Sequence, residues 1–152
     1  MKQQASLEPQ DEIQEEKWPP HCCSILTGEG DMIFVEQRGG DAKVAASKLT
    51  CFGGKREPGE LPGDCIRREC REELAWLPRG EMVRVCDLYV DGELMAWFYE
   101  AQGPKHDDEL EFEPGRRGVW VTPDDPNISA WHACVLEARQ QGLNRADYYT
   151  KI

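Results

Sequence analysis

The chain has 152 residues, 39% of them apolar, and a formal net charge of −11. That length suits one domain able to bury a core, and so acidic a chain does not coat nucleic acid or an anionic membrane through bulk electrostatics. No apolar run approaches the roughly 18 residues of a membrane helix, the N-terminus lacks the basic and apolar regions of a secretory signal, and the seven cysteines form no C-x-x-C pair, which points to reduced thiols in the cytoplasm.

Residues 1–17, rich in Gln and Glu, read as a flexible acidic tail ahead of a domain over residues 18–143. His21–Thr27 and Met32–Gln37 read as two strands of a hairpin around the Gly28–Asp31 turn. Arg38 opens a loop to Ser47 and is either a phosphate contact or an ordinary surface arginine. Leu49–Phe52 is a short strand, and Gly53-Gly54 then allows close backbone approach or positive φ.

After the Pro58-Gly59 turn, Pro62 suits the first turn of a helix. Ile66, Cys70 and Leu74 recur at i, i+4 and i+8 as its apolar stripe. Glu69, Glu72 and Glu73 fall on one neighbouring face. Like charges so placed repel, which fits either a solvated acidic face or a platform for a hard divalent cation, whose preferred ligands are oxygens.

Glu81–Val90 and Glu93–Ala101 flank Asp91-Gly92, a strong hairpin signal. Trp97, Phe98 and Tyr99 alternate faces there, either splitting between two packed layers or offering one ring to a base. Gln102–Gly118 is a long polar loop, in which Arg116 and Arg117 either contact phosphates or balance nearby acids. Val119–Thr122 reads as the last core strand and Ile128–Gln141 as a helix ended by Gly142. Ile128, Trp131, Val135 and Leu136 would pack this helix on the sheet, leaving His132 with no special role, and residues 144–152 read as a C-terminal tail. Helices on both faces of a mixed sheet make an α/β/α sandwich.

The acidic helix belongs to a longer pattern. Gly54 is followed after five residues by Glu60, and seven residues later come Arg68-Glu69, Cys70, Arg71, Glu72-Glu73, Leu74, Ala75 and Trp76. This resembles the Nudix box, the signature of the Nudix hydrolases. Every fixed position matches except Ala75, where the family has glycine. The resemblance implies the Nudix α/β/α fold and metal-dependent cleavage of a nucleoside diphosphate linked to another group. The implied cofactor is magnesium, with manganese as the alternative. By resemblance Glu69, Glu72 and Glu73 carry the metals together with the Gly54 carbonyl. A further loop carboxylate joins them, Glu113 first, then Glu111 and Glu109. Glu69 or a loop Glu takes the proton, and Arg68 orients a box carboxylate through an ion pair. Arg38, Lys55 and Glu60 are the candidates on the substrate side, the last also as support for its own loop.

The first substrate expectation is a nucleoside triphosphate, oxidised forms included. ADP-ribose, nucleotide sugars and dinucleoside polyphosphates are the alternatives. A non-catalytic nucleotide-binding module is the other class of reading, and it is disfavoured because no box glutamate is lost. The oligomeric state is not legible, and a homodimer is compatible with the chain.

Overall fold

A computed structural model describes residues 14–39, 48–106 and 109–151 of the protein. Strand β1 (His21–Thr27) is buried over Cys22–Leu26, as a strand covered on both faces must be. β2 (Ile33–Gln37) returns beside it. The short β3 (Leu49–Thr50) and β4 (Phe52–Lys55) divide the stretch expected to form one strand. Helix α1 (Pro62–Leu74) leads to the long hairpin β5 (Arg79–Val90) and β6 (Glu93–Gln102). β7 (Arg117–Val121), α2 (Ala130–Gln140) and β8 (Arg145–Tyr148) complete the chain.

The sheet is mixed, in the order β3-β2-β1-β6-β5-β8. β1 runs parallel to β6, and β5 parallel to β8. One edge of β1 is shared, because β4 pairs with His21–Ser24 and β2 with Leu26 and Thr27. β2 continues away from that edge to pair with β3 and β7. The sheet therefore splits between β4 and the β2–β3 pair.

Period-two alternation sorts the core. Phe98 packs with Ile25, Leu88, Val135 and Leu136 on the α2 face. Its neighbours Trp97 and Tyr99 pack with Cys22, Ile66 and Cys70 on the α1 face. The three rings thus divide between two layers. The α1 stripe lies where expected, with Ile66, Cys70 and Leu74 fully buried. Ala75 takes the left-handed cap at φ +52°, ψ +36°, its N–H donating to the Arg71 carbonyl at 3.0 Å. Asp91 and Gly92 turn the hairpin with φ of +51° and +82°.

Three expectations are corrected. α2 starts two residues late because the backbone around Ile128 bridges Leu49, with Leu49 N–H donating to Asn127 and Ser129 N–H to Leu49. Trp131 does not pack on the sheet; it is 36% exposed. Residues 145–148 are not tail but an edge strand, with Ala146 buried against Leu88 of β5. At the other end most of the expected tail lies outside the described residues. Glu15, within it, accepts from the Gly59 N–H at 2.7 Å and so touches the loop before α1. No helix among the described residues is long and apolar enough to cross a membrane.

Candidate active site

A cavity of about 400 Å³ opens at the split in the sheet. Its lining comes from both faces: Glu69, Glu72 and Glu73 from α1, Trp131 and His132 from α2. Cys23, Thr50, Cys51, Gly53 and Gly54 line it from the strands between. One end is carboxylate-rich and the other aromatic.

Arg68 organises the acidic end. Its Nε and Nη2 donate to the two oxygens of Glu60 at 2.8 and 3.0 Å. Nη1 donates to Glu69 at 3.0 Å and Glu72 at 3.3 Å, and Nη2 also reaches the Lys55 carbonyl at 2.9 Å. The expected ion pair from Arg68 is therefore present and ties three carboxylates and the β4 exit together. Glu60 also accepts the Glu57 N–H; its hydrogen bond from Arg68 lowers its carboxyl below the usual range. Glu60 is thus tied to its own loop, as the loop-support reading expects, and is not among the residues that line the cavity.

Gly54 lets the Glu69 carboxylate lie against the β4 backbone. A Cβ there would lie 2.5 Å from the Glu69 carboxylate. At Gly53, φ is +153° and a Cβ would strike the Cys22 carbonyl. Glu73 accepts the Gly53 N–H at 3.1 Å. Burial, then the charges of Glu36 and Glu69, push the Glu73 carboxyl up to about 9. Burial raises Glu69 too, against the opposing charge of Arg68. Buried carboxylates with raised pKa values gain from a nearby cation, and Glu69, Glu72, Glu73 and the Gly54 carbonyl form an all-oxygen donor set of the kind hard divalent ions prefer. Among the described residues no three such side chains yet converge on one point. Glu69 and Glu72 face Arg68 and Glu73 faces Gly53, so seating an ion here requires side-chain rotation.

Of the loop candidates, Glu113 lines the cavity and is paired loosely with Arg116 at 4.0 Å. Glu109 is taken by Arg79 and the His106 N–H, and the Glu111 N–H caps the Leu74 carbonyl. Arg38 and Lys55 also line the cavity.

Several residues in or beside the lining carried no functional expectation in the sequence. Glu36 on β2 is fully buried, with Arg38 and Arg116 each 3.7 Å from one of its oxygens. Its signal was a carboxylate on the same strand face as Phe34, where alternation calls for an apolar residue. At the aromatic end, the Cys51 N–H donates to His132 Nδ1 at 3.2 Å. That bond leaves the proton of the neutral ring on Nε2. Burial, then the Arg38 charge, pull His132 down to about 4, so the ring is neutral at pH 7. Phe98 stands edge-on to it at 5.4 Å. No periodicity in the sequence distinguishes His132 or Trp131 from helix core, since both depend on where the sheet splits.

A family model described as NUDIX domain matches residues 17–139. An 8-oxo-dGTP diphosphatase of Escherichia coli (strain K12) is 29% identical over 100 residues, covering 64% of this chain and 75% of its own. The fold matches a crystal structure of a MutT NUDIX hydrolase from Burkholderia pseudomallei with a TM-score of 0.63 at 24% identity, over 77% of this chain and 94% of that one. It also matches a MutT protein from Methanosarcina mazei Go1 with a TM-score of 0.64 at 16% identity, over 80% and 91%.

Proposed function

The chain belongs to the Nudix hydrolase family, and we propose that it is a magnesium-dependent pyrophosphohydrolase of nucleoside triphosphates, with oxidised purine triphosphates as the first class to test. Nudix hydrolases use divalent metal ions. The observation that carries the reading is a single cavity joining the Glu69–Glu72–Glu73 face to the Trp131–His132–Phe98 end, with Arg38 and Arg116 between. A polyphosphate needs the first and the arginines, and a nucleobase suits the second. The relative named for 8-oxo-dGTP supports the triphosphate class.

Glu69, Glu72, Glu73 and the Gly54 carbonyl would hold the ions, with Glu113 facing them from the loop. Bound divalent ions supply charge for the polyphosphate and acidify the attacking water. The chain's own residues position and exchange protons. Arg68 keeps Glu69 and Glu72 on one side of α1. Glu69, whose carboxyl burial raises, or Glu113 from the loop serves as the general base. Lys55 and Arg38 contact phosphate oxygens. Trp131 offers an exposed ring face for base stacking, and the His132 Nε2–H donates to a base acceptor.

A phosphate-release screen with magnesium tests this, across nucleoside triphosphates, oxidised triphosphates, ADP-ribose, nucleotide sugars and dinucleoside polyphosphates. Turnover of triphosphates that is lost in Glu72→Gln and Glu73→Gln is expected. Turnover confined to another class would overturn the substrate assignment. No turnover of any class, with no magnesium effect on melting, would overturn the hydrolase reading.

A further inference from the structure

Four buried side-chain atoms that lack a hydrogen-bond partner among the described residues sit together: both oxygens of Glu36, Arg38 Nε and Thr50 Oγ1. Glu36 and Thr50 are register partners across β2 and β3. Thr50, Arg38 and Arg116 line the same cavity as Glu69, Glu72 and Glu73 of α1.

A buried carboxylate is costly unless it is paired and hydrogen-bonded. Glu36 has no exposed surface, yet its two guanidinium partners stand at 3.7 Å, beyond hydrogen-bonding range. The arrangement is a poor structural salt bridge. It is a good way to gather two cations while leaving their N–H groups free. Arg38 follows directly on the end of β2, whereas Arg116 arrives on the Glu113–Arg116 turn, closed by an N–H···O bond of 3.0 Å with Gly115 at φ +83°. The antiparallel β2–β7 ladder ends on the pair Gln37 and Arg117, so Arg38 and Arg116 leave it side by side beside Glu36. The trio carries a net positive charge, and Thr50 adds a hydroxyl.

We propose that Glu36 is a positioning residue that holds Arg38 and Arg116 as a paired phosphate clamp in the cavity that the metal carboxylates line. The clamp takes those polyphosphate oxygens that the metal ions do not. The inference rests on the polyphosphate reading of this cavity. It explains why a chain of net charge −11 keeps a buried acid beside a site for a polyanion. Removing that acid frees the arginines to swing apart, so anion binding weakens.

The sign of the effect makes the test. If Glu36 acted only through its charge, Glu36→Gln would tighten polyanion binding; a positioning role requires the reverse. The full chain, loaded with magnesium, is titrated calorimetrically with imidodiphosphate, a pyrophosphate whose bridge is not hydrolysed. Glu36→Gln should bind about 10-fold more weakly. Arg116→Gln, on an exposed turn that tolerates change, should lose a similar factor. The double variant should be little worse than either single one, because the residues act as a unit. The magnesium titration without anion should be unchanged in Arg116→Gln, which leaves Glu36 and its charge near Glu73 in place. Binding by Glu36→Gln as tight as wild type or tighter overturns the proposal, as does an unchanged affinity in Arg116→Gln. If the wild type hydrolyses triphosphates in the screen but fails to bind imidodiphosphate, the clamp falls and the hydrolase reading stands.

Discussion

Arg68 makes five hydrogen bonds to Glu60, Glu69, Glu72 and the Lys55 carbonyl. A lysine cannot reproduce that fork, since an ammonium is a point charge without the planar bidentate geometry. Arg68→Lys should therefore fold and still lose about 10- to 100-fold in kcat, the usual cost of disturbing groups that orient metal-binding carboxylates. Steady-state kinetics over a magnesium series would check it. Unchanged kcat at saturating metal would show that Arg68 only stabilises the loop. Ala75 offers the opposite kind of test. It holds φ +52° at the end of α1, a conformation that costs a side chain about 1 kcal/mol relative to glycine. Ala75→Gly should raise the unfolding free energy by about that amount with activity unchanged, as urea denaturation would report. The departure from the box pattern is thus a local expense and leaves every carboxylate in place.

At the scale of elements, α1 joins a packed stripe to a charged one, and Glu73 sits at their boundary. Its folded pKa of about 9 lies above the ordinary 4.5. The native state then binds the proton more tightly than the unfolded state. Metal-free protein should lose stability as pH rises from about 5 to 9, by up to about 1.4 kcal/mol per pH unit from this one group. His132, depressed to about 4, acts in the opposite direction and only below its unfolded value of 6.5. Melting curves in chelator from about pH 6.5 to 9, above the range where His132 acts, should fall for wild type and fall less in Glu73→Gln; parallel curves would show that Glu73 is ionised throughout. α1 was legible because its two stripes and its box spacing are local. The second wall of the cavity was not. Glu36, Thr50, Arg38 and Arg116 come from β2, β3 and the turn before β7 and meet only through non-local pairing. Trp131 lies four residues before the buried Val135 on the same helical stripe, and the sequence does not say that the sheet ends beneath it.

Across the whole molecule, the two hairpins were legible from alternation and from the Gly28–Asp31 and Asp91-Gly92 turns, but the last strand was not. Arg145–Tyr148 is four residues long with one buried side chain, Ala146, too short for a periodic signal. Its contribution is nonetheless distributed. It pairs with Asp87–Val90 of β5, stacks the Arg145 guanidinium 3.7 Å over Tyr89, and precedes Thr150, whose N–H and hydroxyl bond Asp91 at 3.0 and 2.6 Å. Leu88, paired with Ala146, also lines the aromatic end of the cavity. Ending the chain at Leu143 would expose that edge of β5. With net hydrogen bonds worth about 1 kcal/mol each, the loss should be about 2–4 kcal/mol. For a domain of this size that lowers melting by roughly 5–15 °C. Because Leu88 touches the base end and not the carboxylates, the shortened protein assayed well below its melting point should show a raised KM for a nucleoside triphosphate, with imidodiphosphate binding held near wild type. Equal losses for both ligands would mean that β8 supports the cavity as a whole. No change in melting would mean that the β5 edge stands without it.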